Sequence, residues 1–316
     1  MKQLHIFKIK CCKAITATLF LVLVGLQCIF AQQDSQFTQY MYNTSTINPA
    51  YAGSQEEISA VLLYRNQWLG LDGAPETLNF TAQSQLSAQA GAAITFLNDR
   101  IGPSNESAIT ADYSYTVGVG QNYNLAFGLK GGVNLFSLDY SLLSVFSPDD
   151  VQFQQNIDNR LSPIVGAGVY FYNDSFYTGL SVPSILSTTF YDDESVSTAR
   201  TRPAIYYIMG YVFELNDDLL FKPAFLTKAE NGAPIAFDLS ANFLYNEKFT
   251  IGAAYRFGNA FSALTGFQIN ENFQIGYAYD YNTTALGNFN GGSHEIFLRF
   301  SLGYKRDDRL LEPRFF

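Results

Sequence analysis

Cysteine, histidine and tryptophan are scarce in this chain of 316 residues, and their positions narrow the chemistry available to it. All three cysteines, Cys11, Cys12 and Cys28, fall among the first 31 residues, so the remainder has no thiol and no disulfide framework. Only His294 follows that region, since the other histidine lies within it, and Trp68 is the single tryptophan. Sites built on cysteine or on several histidines are therefore excluded for the rest of the chain.

The first 31 residues have the three parts of a secretory signal peptide. Four lysines accompany an apolar run of about 17 residues that ends at Phe30, and Ala31 offers a small residue for cleavage. We expect cleavage, with the mature chain starting near Gln32. A membrane anchor is the alternative, because the run is at the short edge of what spans a bilayer. Lipidation of Cys28 is a third option, which the preceding Gly25-Leu26-Gln27 fits poorly.

Long apolar runs and positive charge are both lacking after Ala31. No stretch of 18 apolar residues follows, so no membrane-spanning helix is expected. Removing the four lysines of the first segment from the 19 basic residues, against 28 acidic ones, leaves a formal net charge of −13. A surface of this sign does not favour nucleic acid, whose binding depends on neutralised phosphates. Aromatic residues are plentiful, at 16% of the chain, as in the interface girdles of membrane barrels.

The apolar residues of the mature chain alternate with small and polar ones. Residues 249–257 place Phe249, Ile251, Tyr255 and Phe257 on one face, and residues 273–282 repeat the pattern. A period of two predicts β-strands. The segments run to nine residues or more, which matches the 9–11 of a bilayer-spanning strand better than the 5–6 of a soluble sandwich.

An all-β fold follows, a transmembrane antiparallel β-barrel of about fourteen strands. The predicted strands are 57–66, 76–87, 90–98, 107–119, 123–138, 162–172, 175–182, 204–214, 219–228, 236–245, 249–257, 261–269, 273–282 and 293–303. Tight turns rich in Asn and Asp alternate with longer loops, at 67–75, 99–106, 139–161, 183–203 and 283–292. Short turns of such barrels face the periplasm, so an even strand number predicts two periplasmic termini.

These boundaries divide the chain into four parts. Residues 1–31 are the signal peptide, and residues 32–56, which do not alternate, form a periplasmic N-terminal segment or a plug. Residues 57–303 form the outer-membrane barrel, and residues 304–316 form a C-terminal tail.

Charged residues and the remaining histidine provide little sign of catalysis. Lys130, Arg256, Asp280 and Arg299 are predicted to face the lumen, where they tune a channel or pair across it. His294 is either a general base or, as we favour, a residue of the lumen rim or membrane interface. No catalytic residue, cofactor site or metal site is predicted, and the acidic pairs lie in loops without the spacing of a calcium site.

Two segments near the start have sequence motifs that a membrane barrel does not by itself require. The first runs Gln36-Phe37-Thr38-Gln39-Tyr40-Met41-Tyr42-Asn43 and continues with Asn48-Pro49-Ala50-Tyr51-Ala52-Gly53. The second runs Tyr64-Arg65-Asn66-Gln67-Trp68-Leu69-Gly70. Together with later matches such as Gly276-Tyr277-Ala278-Tyr279-Asp280 and Ser293-His294-Glu295, they resemble the PorP/SprF family of type IX secretion system membrane proteins.

The resemblance implies a non-enzymatic protein of the outer membrane of Bacteroidota. Such proteins associate with periplasmic ring components and help cargo proteins, including gliding adhesins, to leave the cell or stay on its surface. The partners implied are outer-membrane lipids, ring proteins and cargo, with no nucleic acid. Candidate partner-binding residues are Phe37, Tyr40, Asn48, Pro49, Tyr51, Arg65 and Trp68.

Two alternatives to the secretion role are a diffusion or uptake porin and an embedded hydrolase, which would require His294. The aromatic strip that contains Phe37, Tyr40, Pro49 and Tyr51 either docks a periplasmic partner or plugs the barrel's own lumen. Trp68 either pins a partner outside the cell or anchors the barrel at the membrane interface.

Overall fold

The computed structural model describes residues 37–55, 58–142, 156–189 and 200–302. The signal peptide and the C-terminal tail predicted from the sequence lie outside these ranges. Most of the described chain is strand, and the helical pieces are single 3₁₀ turns at Tyr40–Tyr42, Thr44–Thr46, Pro49–Tyr51, Tyr140–Leu142 and Ala285–Asn288. Within the described ranges, no helix has the length and hydropathy needed to cross a membrane.

Seventeen strands follow one another in the described chain. They are β1 (Ile58–Asn66), β2 (Glu76–Gln85), β3 (Ala90–Ile101), β4 (Ser104–Val119), β5 (Tyr123–Leu138), β6 (Ile157–Tyr172), β7 (Phe176–Val182), β8 (Thr188–Thr189), β9 (Arg200–Thr201), β10 (Ala204–Tyr211), β11 (Phe213–Asn216), β12 (Leu219–Glu230), β13 (Ala236–Tyr245), β14 (Phe249–Arg256), β15 (Ala260–Gln268), β16 (Phe273–Asn282) and β17 (Ser293–Leu302).

The main sheet closes on itself as an antiparallel barrel. Consecutive strands pair from β1 to β7 and from β11 to β17, β1 pairs with β17, and β10 pairs with both β7 and β12. Strands β10 and β11 are separated only by Val212 and together form one strand of the barrel wall, whereas β8 and β9 pair only with each other. The barrel wall therefore has fourteen strands, and the predicted fold class is confirmed.

Burial in this barrel is the reverse of that in a soluble protein. Along β13 the inward side chains are Asp238, Ser240 and Asn242, which are buried, while Phe237 and Phe243 point outward and are exposed. Outward side chains of the other long strands are likewise mostly apolar, whereas their inward side chains are polar in part and also include buried apolar residues such as Leu63, Ile208 and Phe297. An apolar outer band around a polar interior is the arrangement that a lipid bilayer requires.

Turn chemistry explains why strands end where they do at one end of the barrel. Asn246 and Glu247 both have positive φ, of 50° and 55°, as the two central residues of a type I′ hairpin require. In the next hairpin the Asn270 side-chain oxygen accepts hydrogen bonds from the backbone N–H groups of Asn272 and Phe273, both at 2.9 Å. We call this end, which also carries the turns 120–122, 173–175 and 217–218, the short-turn end.

The opposite end, with the connections 67–75 and 283–292, is the long-loop end. One predicted loop there, 99–106, is wrong. Strand β3 continues to Ile101 and β4 begins at Ser104, so the connection is the two-residue turn of Gly102, whose φ is 53°, and Pro103. Strands β3 and β4 continue with polar residues beyond the apolar band. Both faces of the hairpin meet water there, so the alternation of hydrophobicity stops. The placement of both termini in the periplasm stays a prediction.

Candidate functional site

The barrel lumen is occupied by residues 37–55, here named the inner segment. Its backbone makes three successive 3₁₀ turns, and the last begins with Asn48 as N-cap and Pro49 in the first turn. A proline there loses no hydrogen bond, because the first N–H groups of a helix have no internal partner. Sixteen of the segment's 19 residues are buried inside the barrel, and Thr46, Gly53 and Ser54 are partly exposed.

A buried ionic cluster attaches the start of the inner segment to the wall. Arg65 of β1 donates one hydrogen bond to Glu295 of β17 at 2.9 Å and another to Asp280 of β16 at 2.6 Å. The three side chains are 0–2% exposed. Arg65 and Glu295 are direct neighbours across the pairing of the first and last strands, so the cluster lies on the seam that closes the barrel.

The inner segment completes this cluster. The Thr38 hydroxyl donates to Asp280 at 2.8 Å and accepts from Arg65 at 3.0 Å. The backbone N–H groups of Thr38 and Gln39 donate to the two Glu295 carboxylate oxygens at 2.9 and 2.7 Å. The residues Thr38, Gln39, Arg65, Asp280 and Glu295 are hereafter the Arg65 cluster. Charge-assisted hydrogen bonds of this kind are about twice as strong as neutral ones.

Further along, the inner segment meets the wall through a ring stack and amides. Tyr42 stacks on Phe297 of β17 with ring centroids 4.3 Å apart. Asn43 donates to Asn79 at 2.5 Å and to Thr81 at 3.0 Å, both on β2. These contacts satisfy polar groups that would otherwise be buried without partners, which is costly in a protein interior.

The last turn of the inner segment fits against wall positions that have no side chain. A Cβ atom at Gly128 would overlap the backbone of Pro49 and Ala50, and one at Gly168 would overlap the Asn48 amide. The Asn48 side chain accepts from the Ala50 N–H at 3.0 Å and donates to the Val169 carbonyl at 3.1 Å. The wall and the inner segment are therefore complementary in shape.

The other lumen charges named from the sequence also face inward. Arg256 forms a double hydrogen bond with Asp238, with N···O distances of 3.0 Å, and Lys130 lies 3.5 Å from Asp112. Lys130 also donates to the carbonyls of Ser45 and Thr46, both at 3.3 Å. Arg299 is likewise buried in the lumen. Three of the four predicted lumen charges, Lys130, Arg256 and Asp280, thus pair across the wall or hold the inner segment.

Of the seven predicted partner-binding residues, six are inside the barrel and one is on its rim. Phe37, Tyr40, Asn48, Pro49 and Tyr51 are buried members of the inner segment, and Arg65 is the centre of its attachment. Their role in binding a partner stays a prediction. In this arrangement a partner would reach Tyr40, Asn48, Pro49, Tyr51 and Arg65 only after the segment leaves the lumen, whereas Phe37 lies at the end of the segment.

Trp68 lies at the long-loop end and is partly exposed. Its φ is 50°, which is unusual for a bulky residue, and its N–H donates to the Ser293 hydroxyl at 3.2 Å. The adjacent Leu69 exchanges two backbone hydrogen bonds of 2.8 Å with Gly291 and Gly292. The loops 67–75 and 283–292 therefore form one connected rim.

His294 lies on the outer face, away from the lumen. Its ring is 2.6 Å from the Tyr277 hydroxyl and packs beside Tyr279. The sequence left the lumen rim and the membrane interface open for this residue, and its outward direction argues against the lumen. Across the described ranges, no group of three or more metal-ligating side chains comes together.

The sequence profile described as type IX secretion system membrane protein PorP/SprF matches residues 29–300 of the chain. The chain belongs to the PorP/SprF family. A comparison with curated protein sequences gave no significant match.

Solved structures share the barrel of this PorP/SprF protein at low sequence identity. The CymD monoaromatic hydrocarbon channel is 10% identical with a TM-score of 0.51, over 85% of this chain and 94% of that one. The toluene transporter TbuX of Ralstonia pickettii is 10% identical with a TM-score of 0.48, over 82% and 92%. Omp33 of Acinetobacter baumannii is 8% identical with a TM-score of 0.46, over 79% and 99%. The first of these likenesses supports the fold and nothing beyond it.

Sequence reasoning missed how Glu295 takes part in the site. From the sequence this residue stands out only within the Ser293-His294-Glu295 match, yet it is the acceptor for both the inner segment and Arg65. The sequence did contain a signal, because side chains of a strand point alternately to its two faces. On the last strand Glu295 alternates with outward-facing apolar residues, so it must point into the lumen. The PorP/SprF protein is an outer-membrane component of the type IX secretion system whose residues 37–55 are anchored inside the barrel.

Proposed function

We propose that this protein acts in type IX secretion as a binding component that aids the export or surface anchoring of cargo proteins such as gliding adhesins. It would do so by contacting periplasmic ring proteins, cargo or both, and not by conducting solutes. Family membership supports the secretion role, and the filled lumen supports binding over conduction.

The filled lumen is the observation that distinguishes this protein from a porin. The inner segment contacts β1 and β17 through the Arg65 cluster, β2 through Asn43, and the wall around Gly128 and Gly168. These contacts lie on opposite parts of the strand order, so the segment crosses the space that a porin leaves open. A barrel of this size without such a segment would be wide enough to pass solutes.

Trp68 is the predicted partner-binding residue best placed for direct contact. It is partly exposed on the connected rim at the long-loop end, next to Leu69, which is 47% exposed. Exposed apolar and aromatic side chains on a fixed surface are common features of protein interfaces. The buried candidates of the inner segment would instead act by shaping or blocking the lumen.

The deciding experiment is a quantitative comparison of secreted and surface proteins in cells with and without the gene. Loss of a few cargo proteins, with their accumulation inside the cell, supports an accessory role for those cargoes. Failure of all type IX cargo to leave would indicate a core component. No change in any cargo would refute the secretion role.

Single-channel recordings of the purified barrel test the porin alternative separately. We expect no stable conductance, because the inner segment occupies the lumen. A constant open conductance of the intact protein would favour the porin, whatever the cargo comparison shows.

A further inference from the structure

The order of contacts along the inner segment shows which way it runs through the barrel. Its first residues belong to the Arg65 cluster. Arg65 is the penultimate residue of β1, Glu295 is the third residue of β17, and Asp280 is the third from the end of β16. All three positions lie next to the connections 67–75 and 283–292, so Thr38 and Gln39 are at the long-loop end.

The middle of the inner segment lies at mid-height in the wall. Asn43 contacts Asn79 and Thr81, the fourth and sixth residues of the ten-residue strand β2. Tyr42 stacks on Phe297, in the middle of β17. The segment has therefore descended from the rim by this point.

The last residues of the inner segment are at the short-turn end. The Ala52 carbonyl accepts from Ser114 at 2.5 Å, in the half of β4 that leads to the turn 120–122. The Gln55 side-chain oxygen accepts from Ser59, the second residue of β1, at 3.0 Å. Ser59 and Arg65 are about 20 Å apart along the strand at about 3.3 Å per residue, which at a strand tilt of about 35–45° is about 15 Å of height, more than half of the roughly 25 Å apolar band of such a barrel.

We infer that the inner segment threads the barrel from the long-loop mouth to the short-turn mouth, so that its N-terminal end opens to the same side of the membrane as Leu69. This differs from an N-terminal segment that docks a partner at the short-turn side. It also gives the segment a direction of release. Its C-terminal end continues into β1 at the short-turn mouth, so a partner that grips the N-terminal end must approach from the long-loop side.

Thiol labelling tests this inference directly, because all three natural cysteines lie in the first 31 residues. Single cysteines are introduced in the full chain at Phe37, at the exposed long-loop residue Leu69 and at the exposed short-turn residue Asn122. Cells are treated with a maleimide on a linear polyethylene glycol chain too large for outer-membrane pores, first intact and then after the outer membrane is opened. The parent chain measures background, and labelling of denatured protein measures the amount present.

The expected result is that Phe37→Cys follows Leu69→Cys, at a reduced rate because position 37 is 7% exposed, and differs from Asn122→Cys. Gln55→Cys, at the other end of the same segment, should follow Asn122→Cys if it is labelled at all. Labelling of Phe37→Cys from the side that labels Asn122→Cys would overturn the inference. Labelling of Phe37→Cys from neither side in the folded protein would overturn it equally, because the end would then be sealed.

The outcome is independent of the secretion role. The comparison is between positions 37 and 69, so it holds whichever way the barrel faces. A protein that handled no cargo could still be threaded, and a protein essential for secretion could fail the labelling test.

Discussion

Replacing Arg65 by methionine should destabilise the barrel more than any single exposed substitution. The guanidinium group makes three hydrogen bonds of 2.6–3.0 Å to Asp280, Glu295 and Thr38, and the two carboxylates are 0–2% exposed. Breaking a buried ion pair by removing one partner typically costs about 3–5 kcal/mol, because the remaining charge stays buried and uncompensated.

The lower end of that range applies here. Without Arg65, Glu295 keeps the backbone N–H groups of Thr38 and Gln39, and Asp280 keeps the Thr38 hydroxyl. We therefore expect a loss of about 3 kcal/mol in the free energy of unfolding, which is more than a hundredfold in the equilibrium constant. Methionine preserves most of the side-chain volume, so little of the effect comes from a cavity.

The measurement is urea unfolding of the purified barrel in lipid vesicles, followed by fluorescence and by the mobility shift of folded protein on gels. Arg100→Met is the matched control, since Arg100 is exposed on β3 and should change stability by no more than about 0.5 kcal/mol. The double variant Arg65→Met with Asp280→Asn should recover part of the loss, because it removes one uncompensated charge and the Asn oxygen can still accept from the Thr38 hydroxyl. Equal stability of Arg65→Met and Arg100→Met would refute the role assigned to the cluster.

Three further predictions concern the fit, the closure and the rim. Gly128→Ala should destabilise the barrel by about 1–3 kcal/mol or displace the inner segment, because the new Cβ meets Pro49 and Ala50, whereas Gly131→Ala on the same strand, where a Cβ meets nothing, should be neutral in the same unfolding assay. Deleting residues 37–55 should open a stable conductance in planar bilayers; a silent barrel after deletion would show that something else closes the lumen. Trp68→Ala should leave unfolding unchanged and lower the amount of surface cargo, while equal cargo levels would remove Trp68 from the candidate partner-binding residues.

The fold could be predicted closely because each strand of a membrane barrel has one face toward lipid and one toward the lumen, and this alternation is visible in the sequence. Alternation in residues 249–257 and 273–282 reports two faces directly, since successive side chains of a strand point to opposite sides. The turn at Asn246 and Glu247 ends its strand through local conformation alone. The loop predicted at 99–106 failed because β3 and β4 extend beyond the apolar band, where alternation carries no information.

The sequence by itself determined the number of barrel strands, most of their turns and the inward direction of Asp280 and Arg256. Only the tertiary structure decided that residues 37–55 fill the lumen and that Arg65 is their anchor. Arg65 is separated from Asp280 by 215 positions and from Glu295 by 230, and these residues meet because the register of β1 on β17 closes the ring. The inner segment has wall contacts on all sides, so its apolar and polar side chains do not alternate. Its sequence therefore gives no local pattern from which the surface that buries it could be predicted.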